Sequence, residues 1–353
     1  MELAAENKLN NAQHYSTTST PVLDVFRPLP PQTKESLSAG EYFLASSLAI
    51  LILVALPSLR AVIEIAPGYW AALIPVIAAL SAGFTHEMGH LVAGWLFSFR
   101  FRQIKIGTLH LGRHARCGEP YCGDVITLGA AVLEPRLSDQ DDATLRRRLL
   151  FLMLGGPLAS VSLAGALESV QYMVHPGFLV GFSLHVGAAF SGLIAIAASL
   201  PDVNRRGIFS DGARLLMLLR NDAKAERWLS NIRCQMALNQ GRHPRDWDQA
   251  CVSRSAGVSD DSCDAYLSRW LAYLWAAERQ DITCATKYLE GALEVLSYAT
   301  PKMRDHLFLE AAIFQAWFRD NPSKALFWVY SIRNNKLTRL QKQRLDIALL
   351  WSE

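Results

Sequence analysis

The chain has 353 residues, a formal net charge of +3 at pH 7 and a hydrophobic content of 51%. The small net charge, without a dense cluster of lysine and arginine interleaved with aromatic residues, argues against binding to nucleic acid. The composition changes along the chain: apolar runs dominate residues 42–220, and charged residues return at the density of a soluble protein in residues 221–353. We therefore expect a membrane domain followed by a soluble domain.

The segment 1–41 is polar, contains proline, and lacks the early apolar core of a secretory signal. This composition predicts a flexible N-terminal tail over residues 1–41. Beyond the tail, four stretches of about 18 residues or more are apolar and nearly free of charge, which is the length that a helix needs to cross a bilayer. These predicted spans are Tyr42–Leu59, Ile65–Phe99, Leu149–Val174 and Phe178–Leu200.

Basic residues set the expected orientation of the spans. The segment between the second and third spans contains nine lysine and arginine residues, whereas the two turns on the opposite side contain only Arg60. The positive-inside rule then places this segment and both termini in the cytosol. We expect an integral protein of a bacterial cytoplasmic membrane, with its six cysteines on the cytosolic side and reduced.

The second span contains the sequence HEMGH at residues 86–90, and Glu87 is the only formally charged residue of that span. On a helix, two histidines four residues apart share one face and can bind zinc, and the adjacent glutamate can act as a general base. A carboxylate within a span is energetically costly and therefore indicates a function. The pattern predicts one zinc ion per chain, with His86 and His90 as ligands and Glu87 as the catalytic residue.

A catalytic zinc site needs a third protein ligand. Asp211 follows the fourth span and has apolar neighbours that can return to the membrane edge. Aspartate is also a favoured N-cap, so Asp211 can instead cap the helix that begins at Gly212, and the spacing leaves both interpretations open. A different arrangement would take the third ligand from a glutamate, for which the candidates are Glu119, Glu134 and Glu168.

Three motifs occur in the order found in the site-2 protease family of intramembrane zinc metalloproteases, which the chain resembles over roughly residues 70–220. They are HEMGH in one span, Gly-Gly-Pro-Leu-Ala at residues 155–159 in the next, and Leu200-Pro201 followed by Asp211-Gly212. The resemblance implies a core of three helices, with zinc bound by His86, His90 and Asp211. It also implies regulated intramembrane proteolysis, the cleavage of a membrane-embedded substrate.

The sequence departs from the family at two positions. Family members usually have an asparagine in an Asn-Leu-x-Pro motif, where it is thought to aid substrate or oxyanion binding, but the corresponding stretch here is Ala-Ser-Leu-Pro at residues 198–201. Ser160 likewise stands where an asparagine often follows Gly-Pro-Leu-Ala. Ser199 is therefore a candidate for the second oxyanion donor. His185 in the fourth span is a candidate for a hydrogen bond near the site, and both residues are candidates for oxyanion or substrate contacts.

The basic segment between the second and third spans is predicted to contain strands. Residues 102–110 alternate between polar and apolar side chains, and Val125–Leu133 is apolar and β-prone. We therefore expect a membrane-associated, β-rich loop over residues 102–135, as the family resemblance also implies. An exposed strand edge in this loop could pair with an unwound substrate. The alternative is a solvated loop without strands.

Residues 221–353 have the composition of amphipathic helices in a soluble domain. Turn-like junctions recur with a period of about 40 residues, at 239–241, 279–281 and 319–322. The period predicts three degenerate helical hairpins resembling tetratricopeptide repeats. We expect such a domain to dock a regulator or the tail of a substrate, and the alternative is a helical cap without a separate partner.

These patterns predict an α-helical membrane protein with about four transmembrane helices, a catalytic domain over residues 42–220, a small cytosolic β insertion and a C-terminal α-helical repeat domain. The first functional hypothesis is an intramembrane zinc metalloendopeptidase. Its substrate would be a transmembrane or membrane-anchored protein, such as a tethered transcription regulator, a signal-peptide remnant or a secreted-peptide precursor. The alternatives are a membrane-anchored zinc protease with a glutamate ligand and a non-catalytic membrane scaffold that presents the helical repeats.

Overall fold

The computed structural model describes residues 68–107, 109–112, 127–135, 141–204, 207–299 and 301–332, together with the single positions 46 and 343. The predicted N-terminal tail and nearly all of the first predicted span lie outside the described residues. The second, third and fourth predicted spans lie within them almost completely, and so does most of the soluble domain.

The HEMGH motif lies near the C-terminal end of a 29-residue helix, α1 (Gly68–Leu96). The helix ends in a turn at which Ser98 adopts the left-handed conformation, with φ of 64°. This turn leads directly into the first strand, so the motif lies beside the base of the sheet. The motif therefore lies at the end of the helix from which the basic segment follows, and the cytosolic orientation of that end stays a prediction.

The strands β1 (Phe99–Gly107), β2 (Leu109–Gly112) and β3 (Thr127–Pro135) form an antiparallel sheet in the order β2-β1-β3. Phe99 pairs with Pro135, so the end of β3 returns to the end of α1. Strands are therefore present in the segment where alternation predicted them. The association of this sheet with a membrane stays a prediction.

Two long helices follow, α2 (Asp142–Val174) and α3 (Phe178–Ser199). Asp141 caps α2 by accepting a hydrogen bond from the backbone N–H of Thr144 at 3.0 Å, and His175 in the left-handed conformation ends it. Within the described part of the chain, these two helices are long and apolar enough to cross a membrane. Only 22% and 28% of their most apolar windows are buried inside the protein, which argues against core helices of a soluble protein.

Large apolar side chains are exposed along all three of these helices. Many exposed apolar side chains on one set of helices are unfavourable in water, and such side chains are what membrane helices present to lipid. Examples are Ile77, Phe84 and Trp95 on α1, Leu158 and Val161 on α2, and Val180 and Ile196 on α3. The prediction of a mainly helical chain with a small β insertion is confirmed, and the total of four spans stays a prediction.

The chain then turns back through a short loop into α4 (Asp211–Arg220). The buried face of α4, with Met217 and Leu218, packs into one apolar cluster with Phe99 of β1 and Leu149 of α2. The cluster therefore joins the sheet, the membrane helices and the segment that carries Asp211. It extends into the soluble domain through Leu229.

The helices of the predicted soluble domain form hairpins, and the name soluble domain is kept below for residues 221–332. Its helices are α5 (Ala223–Asn239), α6 (Gln249–Ala256), α7 (Cys263–Glu278), α8 (Ile282–Glu294), α9 (Pro301–Phe318) and α10 (Pro322–Ser331). The turns after α5, α7 and α9 each contain a residue with positive φ: Gly241, Gln280 and Asp320. These three positions are almost equally spaced along the chain, which agrees with the period in the sequence.

Aromatic residues of α7 and α9 form the centre of the soluble domain. The Tyr266 hydroxyl donates to the carbonyl of Met303 at 2.9 Å, and the rings of Tyr273 and Phe314 meet edge to face with centroids 6.0 Å apart. Burial of such large side chains supplies most of the driving force for folding a water-soluble domain. The assignment of these hairpins to a repeat domain resembling tetratricopeptide repeats stays a prediction.

Candidate metal centre

Helix α1 places the three motif side chains in a buried position. His86, Glu87 and His90 are each only 7% exposed. The two histidines are four residues apart on one helix, so their imidazoles lie one above the other, with ring centroids 5.0 Å apart. Because this side of α1 packs against the apolar helices α2 and α3, the polar group lies in a region from which bulk water is largely excluded.

Glycines allow helix α2 to approach the motif. A Cβ atom at Gly155 would lie 2.5 Å from the carbonyl oxygen of Gly89, so backbone contacts backbone at this crossing. A Cβ atom at Gly156 would lie 2.7 Å from Nε2 of His86 and would also overlap His90. The Gly-Gly pair of the sequence therefore brings the helices together and leaves room for the two imidazoles.

Hydrogen bonds from α2 orient both imidazole rings. Nδ1 of His90 lies 2.7 Å from the carbonyl oxygen of Leu152, and Nδ1 of His86 lies 3.0 Å from Oγ of Ser160. A carbonyl oxygen only accepts, so Nδ1 of His90 carries a proton, and in the neutral imidazole its Nε2 has a free lone pair. This is the state in which a histidine binds a metal through Nε2.

Asp211 completes the cluster from the first turn of α4. The hydroxyl of Ser210 accepts the capping hydrogen bond from the N–H of Ala213 at 3.1 Å. Ser210 is therefore the N-cap of α4, and the carboxylate of Asp211 is not used for capping. Oδ2 of Asp211 lies 3.1 Å from Nε2 of His86 and 3.2 Å from Nε2 of His90.

The donor set fits a divalent cation. Neutral His90 with its proton on Nδ1 would direct a lone pair at the carboxylate of Asp211, and a cation between the two atoms removes that repulsion. In a tetrahedral zinc site, bonds of about 2.0–2.1 Å separate neighbouring ligand atoms by about 3.3 Å, close to the two distances to Asp211. Within the described residues, the cluster His86, His90 and Asp211 is the group that could hold a metal ion.

The other predicted site residues lie elsewhere or at the border of the cluster. Ser199 and Asp211 line the same cleft of about 240 Å³ between α2, α3 and α4, so Ser199 is near the metal centre. The structure instead pairs His185 with Glu168, with Nδ1 2.9 Å from Oε1. Glu168 is 12 residues beyond Gly156, or about 18 Å along α2, so His185 is not brought to the cluster.

The glutamates that could have replaced Asp211 also have other positions. Glu134 forms an ion pair with Arg102 and accepts a hydrogen bond from Asn239 at 3.1 Å. Glu168 pairs with His185, and Glu119 lies outside the described residues. Asp211 is therefore the carboxylate that the described structure brings to the two histidines.

Sequence reasoning missed the roles of two serines. Ser160 faces His86, and its own carbonyl accepts a hydrogen bond from the hydroxyl of Ser191 on α3 at 2.9 Å. The sequence singled out Ser160 only as a departure from a family pattern. Serine is as good an N-cap as aspartate, so the Ser-Asp order at the start of α4 could have identified Ser210 as the cap.

Two imidazoles from one apolar helix, a carboxylate from another segment and a buried glutamate define a membrane-embedded, metal-dependent peptidase as the class that best accounts for this site. The chain belongs to peptidase family M50, the site-2 protease family, whose family model matches residues 74–328. The match extends beyond the membrane helices into the helical hairpins. Neither the curated proteins nor the solved structures include a match to this chain. The predicted family is confirmed, and the chain is a membrane protease.

Proposed function

We propose that this protein is an intramembrane zinc metalloendopeptidase that cleaves a peptide bond of a membrane-embedded substrate. The observation that carries the proposal is the convergence of His86, His90 and Asp211, whose ligand atoms all lie within 4.8 Å of one another. Membership of family M50 and the exposed apolar surface of α1 to α3 support the same conclusion.

His86 and His90 would hold the ion through Nε2, and Asp211 through its carboxylate. When bound, zinc supplies Lewis acidity that polarises a scissile carbonyl and makes water more acidic. Glu87 would accept the proton of the attacking water on its carboxylate and pass it to the leaving amine. The buried setting strengthens each of these interactions, because a low dielectric screens charge weakly.

Ser199 is the residue proposed to assist at the oxyanion, since it lines the cleft that contains Asp211. A hydroxyl at this place would be a weaker donor than the amide that family members usually have. We propose only the class of the substrate, which is a transmembrane or membrane-anchored protein. The helical hairpins are proposed to bind a regulator or the tail of the substrate.

A substrate helix must be unwound before cleavage, because its carbonyl groups are bonded within the helix. Strand β3 could accept such a segment. Among the described strands it pairs only with β1, so its outer edge has no strand partner within the described residues. Its end lies beside α1, where a Cβ atom at Gly94 would overlap Leu133, so an added strand would run close to the metal centre.

The experiment that tests the proposal compares the purified full chain with Glu87→Gln and Asp211→Ala. We expect one zinc ion per chain in the wild type and in Glu87→Gln, and a loss of zinc in Asp211→Ala. Membrane proteomics of cells with Glu87→Gln should show an uncut membrane protein that accumulates. A chain that keeps its zinc after Asp211→Ala would refute the ligand assignment.

The non-catalytic scaffold is the alternative that this comparison can favour. The scaffold would be preferred if Glu87→Gln left every membrane protein processed as in the wild type, while deletion of the helical hairpins alone altered the phenotype of the cell.

A further inference from the structure

The metal ligand Asp211 is connected to the soluble domain by Arg214, one helical turn further along α4. The guanidinium of Arg214 binds both carboxylate oxygens of Asp264 in the first turn of α7, with Nη2 2.8 Å from Oδ1. A bidentate pair of this kind fixes direction as well as distance, because the planar guanidinium and the carboxylate match.

The surroundings of this ion pair restrict it further. The side chains of Arg214 and Asp264 are 12% and 11% exposed. The guanidinium lies 4.3 Å from the ring centroid of Trp228 and 4.8 Å from that of Phe209. Cations over aromatic faces gain electrostatic stabilisation, more so when they are shielded from water. Arg214 can therefore move little unless the helical hairpins move with it.

A second contact binds the same turn of the soluble domain to the loop before Asp211. The N–H of Cys263 donates to the carbonyl of Gly207 at 3.0 Å. Gly207 has φ of +69°, and a Cβ atom there would lie 2.7 Å from Cα of Ser262. Only glycine combines this backbone conformation with such a close approach. The chain is thus attached to residues 262–264 on both sides of Asp211.

We propose that the turn formed by residues 262–264 positions Asp211 and that the soluble domain therefore controls the affinity of the metal centre. The inference rests on the proposed zinc site. A partner that moved the start of α7 would move Asp211 relative to His86 and His90, which are fixed separately by α2. Arg214 and Asp264 are positioning residues in this account, since neither contacts the metal-binding atoms.

The test is the zinc affinity of the full chain in detergent, measured by competition with a chelator. We expect Asp264→Asn and Arg214→Lys each to weaken zinc binding at least tenfold. The matched control is Arg254→Gln, which removes another arginine between the domains, one that contacts Asp142 and Glu226 at 3.7 and 3.9 Å. The control should bind zinc as the wild type does.

Thermal unfolding of the zinc-free variants separates a local effect from a loss of folding, and Arg214→Lys serves if Asp264→Asn does not fold. Unchanged zinc affinity in either folded variant would overturn the positioning role. If Asp211→Asn also left the affinity unchanged, the ligand assignment itself would be wrong, so the two failures are distinguishable.

A separate pair of groups lies at the first hairpin of the soluble domain. The thiols of Cys234 on α5 and Cys251 on α6 are 3.9 Å apart, and the two residues are only 2% and 6% exposed. Both are free and both line a cleft of about 430 Å³ that also contains Arg242 and Trp247. A small reagent in this cleft would meet two adjacent sulfur atoms.

We infer that Cys234 and Cys251 form an oxidation site for hydrogen peroxide. The thiolate of Cys251 attacks one peroxide oxygen, the O–O bond breaks, and a sulfenic acid and hydroxide form. The thiol of Cys234 then attacks the Cys251 sulfur, the S–S bond forms, and the hydroxyl group leaves as water with the thiol proton. Two electrons pass from the two sulfur atoms to the peroxide, and the sulfurs must approach to about 2.05 Å.

The local charges agree with this order of events. A hydrogen bond from Cys234 lowers the pKa of the Cys251 thiol below its usual value, assisted by the charges of Arg254 and Arg233, whereas the same contact and burial raise the pKa of Cys234. Cys251 is therefore the attacking thiolate, and Cys234 is the resolving thiol.

Treatment of the full chain with one equivalent of hydrogen peroxide, followed by alkylation and peptide mapping, tests the site. We expect a crosslinked Cys234–Cys251 peptide, with Cys263 and Cys284 alkylated. In Cys234→Ser, a sulfenic acid at Cys251 should be trapped by a dione reagent, and Cys284→Ser should behave as the wild type. Peroxide-treated protein with both thiols still alkylated, or with Cys251 joined to another cysteine, would contradict the inference.

Discussion

The membrane helices pack against one another through small residues, whereas the helical hairpins pack against one another through large aromatic residues. In the crossing of α1 and α2, Gly89 contacts Gly155 through the backbone, and large apolar residues such as Phe84 face outward. In the described part of the hairpins, Tyr273 and Phe314 are buried and few large apolar residues are exposed. Water drives the burial of large residues, whereas lipid does not, so membrane helices pack through small residues and specific polar contacts.

This difference explains why polar groups matter more in the membrane half. The imidazoles of His86 and His90 are each oriented by one contact from α2. Arg254 of the hairpins, by contrast, approaches two acidic groups, Asp142 at the start of α2 and Glu226 of α5. We therefore expect single small changes near the metal centre to have large effects, and single changes of surface ion pairs in the hairpins to have small ones.

The largest effect is expected when one methyl group is added at the contact between the membrane helices α1 and α2. Gly156→Ala places a Cβ atom 2.7 Å from Nε2 of His86, so the variant should lose zinc binding and proteolysis. Zinc content of the purified chain measures this. The control is Gly165→Ala in the same helix, where a Cβ atom would meet nothing within 4 Å. Stoichiometric zinc of wild-type affinity in Gly156→Ala would show that the close approach is not required.

In the hairpins, the largest effect should come from removing an aromatic side chain. Phe314→Ala should destabilise the soluble domain by about 3–5 kcal/mol, because a buried phenylalanine leaves a cavity. Denaturant unfolding of the full chain measures the free energy of unfolding, with the susceptibility of the hairpins to proteolysis as the signal. Phe327→Ala on α10 is the control, since Phe327 is exposed. Equal destabilisation by both variants would show that burial of large aromatic residues is not what distinguishes the packing of the hairpins from that of the membrane helices.

A smaller effect is expected for the serine that orients His86. Ser160→Ala removes the hydrogen bond to Nδ1 and should weaken zinc binding about 10–100-fold, as is typical for residues that orient a metal-binding histidine. Competition with a chelator measures the affinity. Ser169→Ala is the control on the same helix, because the exposed Ser169 hydroxyl donates to the carbonyl of Gly165 within that helix. Wild-type zinc affinity in Ser160→Ala would show that the hydrogen bond from Ser160 is not needed to orient His86.

The smallest effect is expected at the outer part of the membrane helices. His185→Ala breaks the contact with Glu168, and both side chains are about half exposed or more, so zinc affinity and cleavage rate should stay within about twofold of the wild type. Rate measurements on a natural or reporter substrate provide the check. A tenfold loss of cleavage with zinc retained would restore His185 as a substrate contact.

Much of this molecule was predictable because its signals are local. The HEMGH spacing predicted a shared helix face, and the alternation before Gly107 predicted strands. The regular spacing of turn-like junctions predicted the hairpin turns at Gln280 and Asp320. Each of these depends on residues within one or two turns of the chain, where backbone geometry alone relates sequence position to direction.

The placement of His185 and Ser160 was not predictable from spacing. Both lie in apolar helices at which any face could meet the site, and the rotation of a helix about its axis is decided by its neighbours. The close contact of Gly89 with Gly155 determines which face of α2 meets the motif, and this brings Ser160 to His86, whereas His185 on α3 meets Glu168.

The sequence by itself determined the membrane character of the chain, the two histidines and the glutamate of the site, and the period of the hairpins. It left open whether Asp211 caps a helix or binds a metal. Only the tertiary structure decided the position of Asp211, because Ser210 takes the cap while Arg214 and the turn at residues 262–264 hold α4 against the soluble domain. A carboxylate brought to His90 from 121 residues away is a property of packing, and packing connects residues that no local pattern relates.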